Sequence, residues 1–375
     1  MRRISELLKD TKPFFKVCTK PLINQVNLWK KYIPNIQPYY AVKCNNDDYL
    51  LNILAKNQIN FDCASKGEIK QILDLGIDCN RIIYANPYKS NSSIEYSTDK
   101  NIPLTVIDSV EELEKIKNKN IETLIRVKVN DKESLMPFSS KFGSSFEETI
   151  SILKLAKSYN KNISGFSFHV GSGCYNPYQY FDAVKMIYDI INKTKYLNHN
   201  YKIIDIGGGY SGLCEDEFIK QASSINNSLK LFENNINFLN GIKFISEPGR
   251  FYVTKTYTLY VPIIAKRKTN NKIFYIIDES IYSSFSNITY DMYKPKFELM
   301  KDFENKDSKS KNEKKTLFDS VIFGRTCDSA DRILETELPE LNIGDYFEVK
   351  NMGAYTTVSS TNFNGFETTE KIYLC

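Results

Sequence analysis

The stretch PYYAVKCNNDDYLLNILAKNQINFDCAS, residues 38–65, joins two kinds of local pattern. Its ends, PYYAVKC (38–44) and INFDCAS (59–65), are short runs of apolar and β-forming residues. Between them, DDYLLNILAKN (47–57) repeats apolar residues at intervals of three and four, which is typical of an amphipathic helix. The stretch therefore predicts a strand, a helix and a second strand in succession.

The same alternation continues to about residue 250 and gives eight β-rich runs in all. Because the runs are apolar at nearly every position, we expect both faces of each strand to be covered, one by a barrel interior and one by helices. Eight β/α units predict a closed (β/α)8 barrel of the TIM type, with an open doubly wound sheet as the structural alternative. The six further runs are RIIYANP (81–87), IPLTVID (102–108), TLIRVKV (123–129), ISGFSFHVG (163–171), KIIDIGGG (202–209) and KFISEPGR (243–250).

The pattern changes after about residue 256, where β runs are separated by turns or loops without long helices. This predicts a second, mainly antiparallel β domain, resembling a sandwich or a barrel. We assign residues 20–256 to the barrel, and residues 1–19 and 257–375 to the β domain. The runs are TYTLYVPIIAKR (256–267), KIFYIIDES (272–280), LFDSVIFG (317–324), DYFEVKN (345–351) and KIYLC (371–375).

Composition excludes several classes of protein. The chain has 375 residues, of which 42% are hydrophobic and 25% charged, and no apolar run approaches the roughly 20 residues of a membrane span. The N-terminus lacks a secretory signal, so a cytosolic location is expected. The charged run at 301–315 mixes both signs, which favours a solvated loop over a nucleic-acid tract. We expect the loop at 297–315 to be disordered.

The eight cysteines form no C-x-x-C pair. Without an export signal they are interpreted as reduced thiols, so neither a disulfide framework nor a zinc site is expected.

Polar residues close the predicted strands, and in a β/α barrel the chemistry lies at the C-terminal ends of the strands. One lysine, one imidazole, several carboxylates and two glycine-bearing loops thus converge on one rim. They are Lys43, Asp62 followed by Glu68, His169 followed by Gly171, Ser172 and Gly173, Asp205 with Gly207, Gly208 and Gly209, and Glu247 with Gly249 and Arg250.

The glycine loops indicate a phosphate site. Backbone N–H groups at Gly207–Gly209 can approach a phosphate unobstructed, and Arg250 and Ser172 can add contacts, although a tight turn also explains the glycines. Lys43 ends an apolar strand, where an unpaired ammonium is costly to bury, unless its side chain reaches over the rim into solvent. A phosphate site beside a lysine that can form an imine suggests pyridoxal 5'-phosphate.

A series of motifs then runs from Pro38 to Phe366: PYYAVKCNN, FDCASKGEI, RIIYANPYK, SFHVGSGC, DIGGGY, SEPGRFY, FGRTCDSADRI and NMGAYT. In this order they resemble the eukaryotic-type ornithine decarboxylase family, which belongs to the alanine-racemase-like, fold type III pyridoxal phosphate enzymes together with the arginine and diaminopimelate decarboxylases. The resemblance implies a pyridoxal-phosphate-dependent decarboxylase of a basic amino acid, with ornithine converted to putrescine and carbon dioxide.

The resemblance implies a role for each rim residue. Lys43 would hold the cofactor covalently until the substrate amine displaces it. Glu247 would face the pyridine nitrogen and keep it protonated, which makes the ring an electron sink, whereas related racemases have an arginine there. His169 would stack on the ring. The other cofactor-binding residues implied are Asp62, Glu68, Ser172, Gly208, Gly209, Gly249, Arg250 and Tyr355.

The resemblance also implies a substrate pocket and a homodimer. Similar enzymes deliver the Cys327 loop across a dimer interface, so each active site would be shared. Cys327 would reprotonate Cα after carbon dioxide leaves, although an isolated cysteine is more commonly a small buried hydrophobe. Asp328 and Asp291 would hold the distal ammonium of the substrate, and a related short arginine-specific enzyme has glutamate at the place of Asp291. Tyr290 and Phe363 would complete the pocket.

One position departs from the family pattern. Animal-like members have an arginine, near the cofactor lysine, where this chain has Pro137, so that contact is expected to be missing. The competing functions are arginine or lysine decarboxylation, and a non-catalytic homologue similar to the antizyme inhibitors. An antizyme-like regulator is a further possible partner, and neither a metal, a nucleic acid nor a membrane is expected.

Overall fold

The computed structural model describes residues 4–233, 241–270, 272–300 and 316–374. The chain divides into two compact units, Asn24–Tyr252 on the one hand and Met1–Ile23 with Val253–Cys375 on the other. We call them the barrel unit and the sheet unit. The charged run at 301–315 lies outside the described residues. In the parts that are described, every helix is too short or too polar to cross a bilayer.

The described strands fall mostly at the predicted runs. In chain order they are β1 (Phe14–Val17), β2 (Ile36–Ala41), β3 (Asn60–Cys63), β4 (Ile82–Tyr84), β5 (Leu104–Ile107), β6 (Glu122–Arg126), β7 (Ser134–Met136), β8 (Gly165–Ser167), β9 (Ser172–Cys174), β10 (Ile203–Asp205), β11 (Lys243–Ser246), β12 (Tyr257–Lys268), β13 (Ile273–Ile277), β14 (Phe297–Leu299), β15 (Leu317–Phe323), β16 (Arg332–Pro339), β17 (Tyr346–Val349) and β18 (Glu370–Tyr373).

The described helices alternate with the strands of the barrel unit and are sparse in the sheet unit. In chain order they are α1 (Ile4–Leu7), α2 (Lys20–Tyr32), α3 (Asp48–Lys56), α4 (Lys66–Asp74), α5 (Asn91–Asp99), α6 (Val110–Ile116), α7 (Phe146–Ser158), α8 (Tyr178–Thr194), α9 (Glu215–Glu233), α10 (Arg250–Val253) and α11 (Ser286–Tyr290).

The barrel unit contains a closed parallel barrel, with described strands in the order β2, β3, β4, β5, β6, β8, β10 and β11, and β11 pairs back to β2. The predicted fold class is therefore confirmed, since all eight runs supply one barrel strand each. Side chains from four different strands fill the interior, among them Ile83, Leu104, Leu124 and Ile245, all less than 5% exposed. This packed interior leaves the rim as the place for a ligand.

Short polar side chains begin the helices that follow the barrel strands. Asp47, Ser65, Ser90, Ser109 and Ser145 each accept a hydrogen bond from a backbone N–H of the helix that follows. Such an N-cap stabilises a helix by about 1 kcal/mol. The caps fix where each helix starts, and so they fix the length of the loop that each strand end contributes to the rim.

The sheet unit contains a mainly antiparallel sheet in the order β14, β17, β12, β13, β15 and β16, and β1 pairs with both β12 and β18. Pairing is parallel between β13 and β15 and between β1 and β18. The expected disorder at 297–315 was wrong for Phe297–Leu299, which form β14 and pair with β17. Of the rest of that loop only Met300 is described, and residues 301–315 lie outside the described residues.

Candidate active site

Lys43 lies just beyond β2, in a short 3-10 turn between the buried residues Val42 and Cys44. Its Nζ donates to Oδ2 of Asp62 over 2.8 Å. Asp62 lies within β3, one residue before its end; β3 pairs with β2 in register Ala41 to Asp62, and the Asp62 side chain is 1% exposed. The Lys43 side chain is 44% exposed. The Lys43 ammonium thus has a buried partner, while its side chain is partly exposed.

Lys43 and Asp62 line a cavity of about 210 Å³ at the rim of the barrel unit. The cavity collects the ends of several strands, as the parallel barrel requires. Among the predicted site residues it brings together Lys43, Asp62, His169 and Glu247. The remaining lining residues are Ala64, Ala85, Asn86, Pro87, Arg126, Phe138 and Phe142.

Glu247, which lines this cavity, interacts with a second buried carboxyl group, that of Asp205. Burial raises the pKa of Glu247 well above its usual range, and the charges of Asp205 and Asp62 raise it further. Burial also raises the pKa of Asp205 to about 7, although a hydrogen bond from Glu247 lowers it. Glu247 is thus the protonated partner and Asp205 the acceptor. Their positions follow from the register of β10 with β11, where Asp205 pairs with Ile245, two residues before Glu247.

Burial of this carboxyl pair makes the stability of the folded chain depend on pH. Asp205 is fully buried, and its Oδ1 accepts the backbone N–H of Gly207 over 2.9 Å. Folding raises the pKa of the Asp205 carboxyl group from its usual value near 4 to about 7. The folded chain therefore becomes less stable as pH rises through this range, because the unfolded chain gives up the proton more readily. A protonated or positively charged group of a ligand beside Glu247 would offset this loss of stability.

His169 is held as a neutral imidazole. Burial lowers its pKa well below the usual range, and the charges of Arg126 and Lys43 lower it further. Its Nδ1 accepts the backbone N–H of Gly171 over 3.0 Å, which places the ring proton on Nε2. Its ring packs at 4.9 Å from that of Phe138. A neutral ring fixed on two sides can present its face to a flat ligand.

The glycine loop has a steric explanation that does not involve a ligand. Gly207 has a φ of 63°, and a Cβ there would lie 2.2 Å from the carbonyl oxygen of Phe168. Gly209 has a φ of 105°, and its Cβ would lie 2.6 Å from the carbonyl oxygen of Gly171. These glycines are required by the tight turn alone, so the turn interpretation holds whether or not a phosphate binds.

The phosphate assignment rests instead on Arg250 and Ser172. Nη2 of Arg250 donates to Oγ of Ser172 over 3.0 Å, which joins the start of α10 to β9. Gly208 and Gly249 are also closely packed, since a Cβ at Gly208 would lie 2.6 Å from the carbonyl oxygen of Glu247. A guanidinium, a hydroxyl and the glycine loop at one rim fit a phosphate group.

Glu68 lies in the first turn of α4, beside Asp62. Its Oε2 accepts the backbone N–H of Ala64 over 2.6 Å. Burial raises its pKa, and the charge of Asp62 adds to this. Glu68 therefore holds the loop that follows β3.

Arg126 is the residue that the sequence interpretation missed. It ends β6, lines the cavity, and its guanidinium lies 4.8 Å from the centre of the Phe142 ring. Burial lowers its pKa, while the charges of Glu247 and Asp108 raise it. The rule that strand ends carry the chemistry would have found it at the end of TLIRV. The cavity therefore contains an arginine, Arg126, although position 137 is a proline.

The sheet unit carries a second cluster, built around the loop that follows β15. The Cys327 thiol is exposed and lies 3.4 Å from Oδ1 of Asn364. The hydroxyl of Tyr282 donates to the carboxylate of Asp328. The Tyr282 ring stacks on that of Phe363, with centroids 4.4 Å apart. The structure therefore brings together three predicted residues, Cys327, Asp328 and Phe363, and adds Tyr282 and Asn364, which carried no recognised motif.

The other predicted residues of the sheet unit lie in separate loops. Tyr290 is the last residue of α11 and is 67% exposed. Asp291 follows it, is 7% exposed, and its N–H donates to the carbonyl oxygen of Asn287 over 3.0 Å. Tyr355 has a φ of 57° in the segment after β17.

The side chains of the barrel unit fit pyridoxal phosphate. Lys43 supplies an amine, Arg250 and Ser172 an anion site, and the Glu247–Asp205 pair accepts a positive partner. Within the described residues, no group of three or more His, Cys, Asp or Glu side chains is arranged to hold a metal ion.

Comparison with known proteins agrees with this geometry. Residues 19–254 match the family described as pyridoxal-dependent decarboxylase, pyridoxal binding domain. Ornithine decarboxylase of Schizosaccharomyces pombe is 38% identical over 97% of this chain and 84% of its own. Antizyme inhibitor 2 of Xenopus laevis is 32% identical over 96% and 80%. The crystal structure of arginine decarboxylase from Paramecium bursaria Chlorella virus matches with a TM-score of 0.91 and 32% identity, covering 99% of each chain.

Proposed function

Because this chain belongs to the pyridoxal-dependent decarboxylase family, we propose that it decarboxylates L-ornithine to putrescine and carbon dioxide. One observation carries the proposal: Lys43, Asp62, His169 and Glu247 converge on a single cavity. The name of the fission yeast relative supports ornithine as the substrate.

Each cavity residue has a task that its surroundings support. Lys43 would bind the cofactor through its amine, and Asp62 would orient that amine through the 2.8 Å hydrogen bond. Glu247 would hold a proton at the ring nitrogen, with Asp205 sharing that proton. The neutral ring of His169 would cover one face of the cofactor. When bound, pyridoxal phosphate accepts the electron pair that remains on Cα as carbon dioxide leaves.

Phosphate binding is proposed for the residues that the family resemblance implies. They are Ser172, Gly208, Gly209, Gly249, Arg250 and Tyr355. Glu68 would act at a distance from the phosphate, through Asp62. Arg126 would also contribute to the active site. Its permanent positive charge beside Glu247 and Asp62 limits the repulsion between those two carboxylates.

The loop that carries Cys327 and Asp328 is proposed to come from a second copy of the chain and to complete the substrate pocket. Asp328 and Asp291 would take the distal ammonium, and Tyr290 and Phe363 would wall the pocket. The exposed Cys327 thiol would return a proton to Cα. Exposure of this thiol and of Phe363, which is 40% exposed, supports a role that needs a neighbouring chain.

A shared site predicts complementation between two inactive variants. Mixing Lys43→Ala with Cys327→Ala should restore up to about a quarter of wild-type activity, because half of the randomly assembled dimers are hybrids and each hybrid has one intact site. Activity after verified subunit exchange is the measurement.

The matched control pairs Lys43→Ala with Glu247→Ala. Both residues come from the barrel unit, so no hybrid of these two variants has an intact site and no activity should return. Recovery in the control, or none in the test pair, would contradict the shared site.

A substrate panel tests the function itself. The purified protein, supplied with pyridoxal phosphate, should release putrescine from ornithine with a higher kcat/KM than it shows for lysine or arginine, measured by chromatography of the amine products. The likeness to the viral arginine decarboxylase makes arginine the principal competitor. Faster release of agmatine than of putrescine would replace the proposed substrate with arginine.

The likeness to an antizyme inhibitor defines the non-catalytic alternative. A protein of that kind would show neither amine product nor the visible absorbance of lysine-bound cofactor. An antizyme-like regulator and a cytosolic location remain part of the proposal, to be tested by affinity capture with a purified antizyme and by fractionation of cells that express the chain.

A further inference from the structure

Lys89 is a buried lysine beside the cofactor cavity, and none of the roles above uses it. It lies between β4 and α5, and only 5% of it is exposed. Its Nζ donates to the carbonyl oxygens of Asn86 at 2.8 Å, Pro87 at 3.1 Å and Val106 at 2.5 Å. An ammonium has three hydrogens, so this one uses its full donor capacity on backbone acceptors.

Two of these three acceptors belong to the wall of the cavity. Asn86 and Pro87 line it together with Lys43 and Asp62, whereas Val106 lies within β5. The side chain of Asn86 continues the connection, because its Nδ2 donates to the carbonyl oxygen of Ala64, another lining residue, over 3.1 Å. Lys89 therefore ties the segment Asn86–Pro87, which we call the cavity wall, to β5 on one side, and Asn86 ties it to the end of β3 on the other.

Charged neighbours hold the backbone of Lys89 as well. Its N–H donates to Oε2 of Glu112 over 3.3 Å, and its carbonyl oxygen accepts from Nζ of Lys115 over 3.0 Å. Lys115 and Glu112 form an ion pair, and Glu112 is 3% exposed. Burial lowers the pKa of Lys89 to about 8, while the charges of Glu112 and Asp108 raise it, so the side chain is charged at neutral pH.

Lys161 shows what a comparable lysine looks like away from the cavity. Its Nζ donates to the carbonyl oxygens of Lys119 at 2.7 Å and Ile121 at 2.8 Å, and burial likewise lowers its pKa to about 8. Those carbonyls precede β6, at the N-terminal end of the barrel, whereas the cavity lies at the C-terminal ends of the strands. Both ammonium groups donate to backbone carbonyls, but only Lys89 holds residues that line the cavity.

We propose that Lys89 is a positioning residue, which fixes the cavity wall at the distance that cofactor binding requires. Loss of its ammonium leaves three buried carbonyls without that donor, and two of them belong to the wall. The effect on the cofactor rests on the proposed function, whereas the effect on the wall does not.

The experiment compares Lys89→Met with Lys161→Met, both of which keep an unbranched side chain and remove the ammonium. In the cofactor-free proteins, hydrogen exchange read by mass spectrometry should accelerate roughly tenfold in peptides covering residues 84–90 of Lys89→Met only. The dissociation constant for pyridoxal phosphate, from absorbance titration, should rise about tenfold in Lys89→Met and stay within twofold of wild type in Lys161→Met, even where both lose similar thermal stability.

Unchanged exchange at residues 84–90 in Lys89→Met would overturn the proposal, and so would an equal loss of cofactor affinity in both variants. If Lys89→Met does not fold, Lys89→Gln retains two donors and should show intermediate exchange and affinity; wild-type values in that variant would equally overturn the role. If the wild-type protein does not bind pyridoxal phosphate, the proposed function fails, while the exchange comparison still decides whether Lys89 fixes the wall.

Discussion

Lys43→Ala is expected to abolish the visible absorbance of lysine-bound pyridoxal phosphate and to lower decarboxylation by about three orders of magnitude or more. The cavity would lose the amine that Asp62 orients, and an amine from solution cannot match a group that is already held in place. The measurements are the absorbance spectrum, borohydride reduction followed by peptide mapping, and chromatography of the amine product.

Lys66→Ala is the matched control for that variant. Lys66 begins α4, close in sequence to Glu68, and its ammonium lies 4.9 Å from the ring centre of Tyr96. Its loss should leave both spectrum and activity near the wild-type values. A borohydride-stable adduct in Lys43→Ala would place the cofactor on a different lysine.

The barrel was predictable because both faces of each of its strands are buried, one by the barrel interior and one by helices. The run TLIRV, for example, has consecutive apolar residues, and both Leu124 and Ile125 are fully buried. The sheet unit was harder to predict. In β16, which reads RILETELP, only Ile333 and Leu338 are buried, so the strand has too few apolar positions to stand out from a loop.

The candidate site was predictable where it follows from strand ends and was not where it depends on register. Lys43, His169 and Glu247 follow barrel strands and Asp62 lies near the end of one, so closing the barrel was enough to bring them to one cavity. The interaction of Asp205 with Glu247 depends on the pairing of β10 with β11, which no local pattern encodes. Arg126 could have been predicted, because it is the last residue of a barrel strand, but the sequence interpretation did not include it among the site residues.

The glycines of the Gly207–Gly209 loop were weaker evidence for a phosphate site than their motif suggested. Gly207 and Gly209 satisfy a glycine-rich phosphate motif, yet the close approach of the carbonyl oxygens of Phe168 and Gly171 already requires them. The Arg250–Ser172 hydrogen bond carries more weight, because it joins polar groups from two different loops at the rim.

Substrate choice is expected to depend on Asp291, and Asp291→Ala should lower kcat/KM for ornithine by roughly two orders of magnitude. Ornithine has a compact distal ammonium that a nearby carboxylate can hold, whereas arginine presents a longer, planar guanidinium that needs a partner placed elsewhere. Removing the carboxylate leaves the ammonium without its proposed partner. Steady-state kinetics with ornithine, lysine and arginine provide the measurement.

Two further variants separate charge from shape. Asp291 is 7% exposed, so Asp291→Ala can also disturb packing, and Asp291→Asn keeps the volume while it removes the charge. Asn should reproduce most of the loss for ornithine with little change in thermal stability. Asp291→Glu moves the carboxylate outward by one methylene, and it should lower the ornithine-to-arginine ratio of kcat/KM. If Asn retains wild-type kinetics, the carboxylate does not bind the distal ammonium, and the specificity must come from Asp328, which lies beside Tyr282 and Phe363.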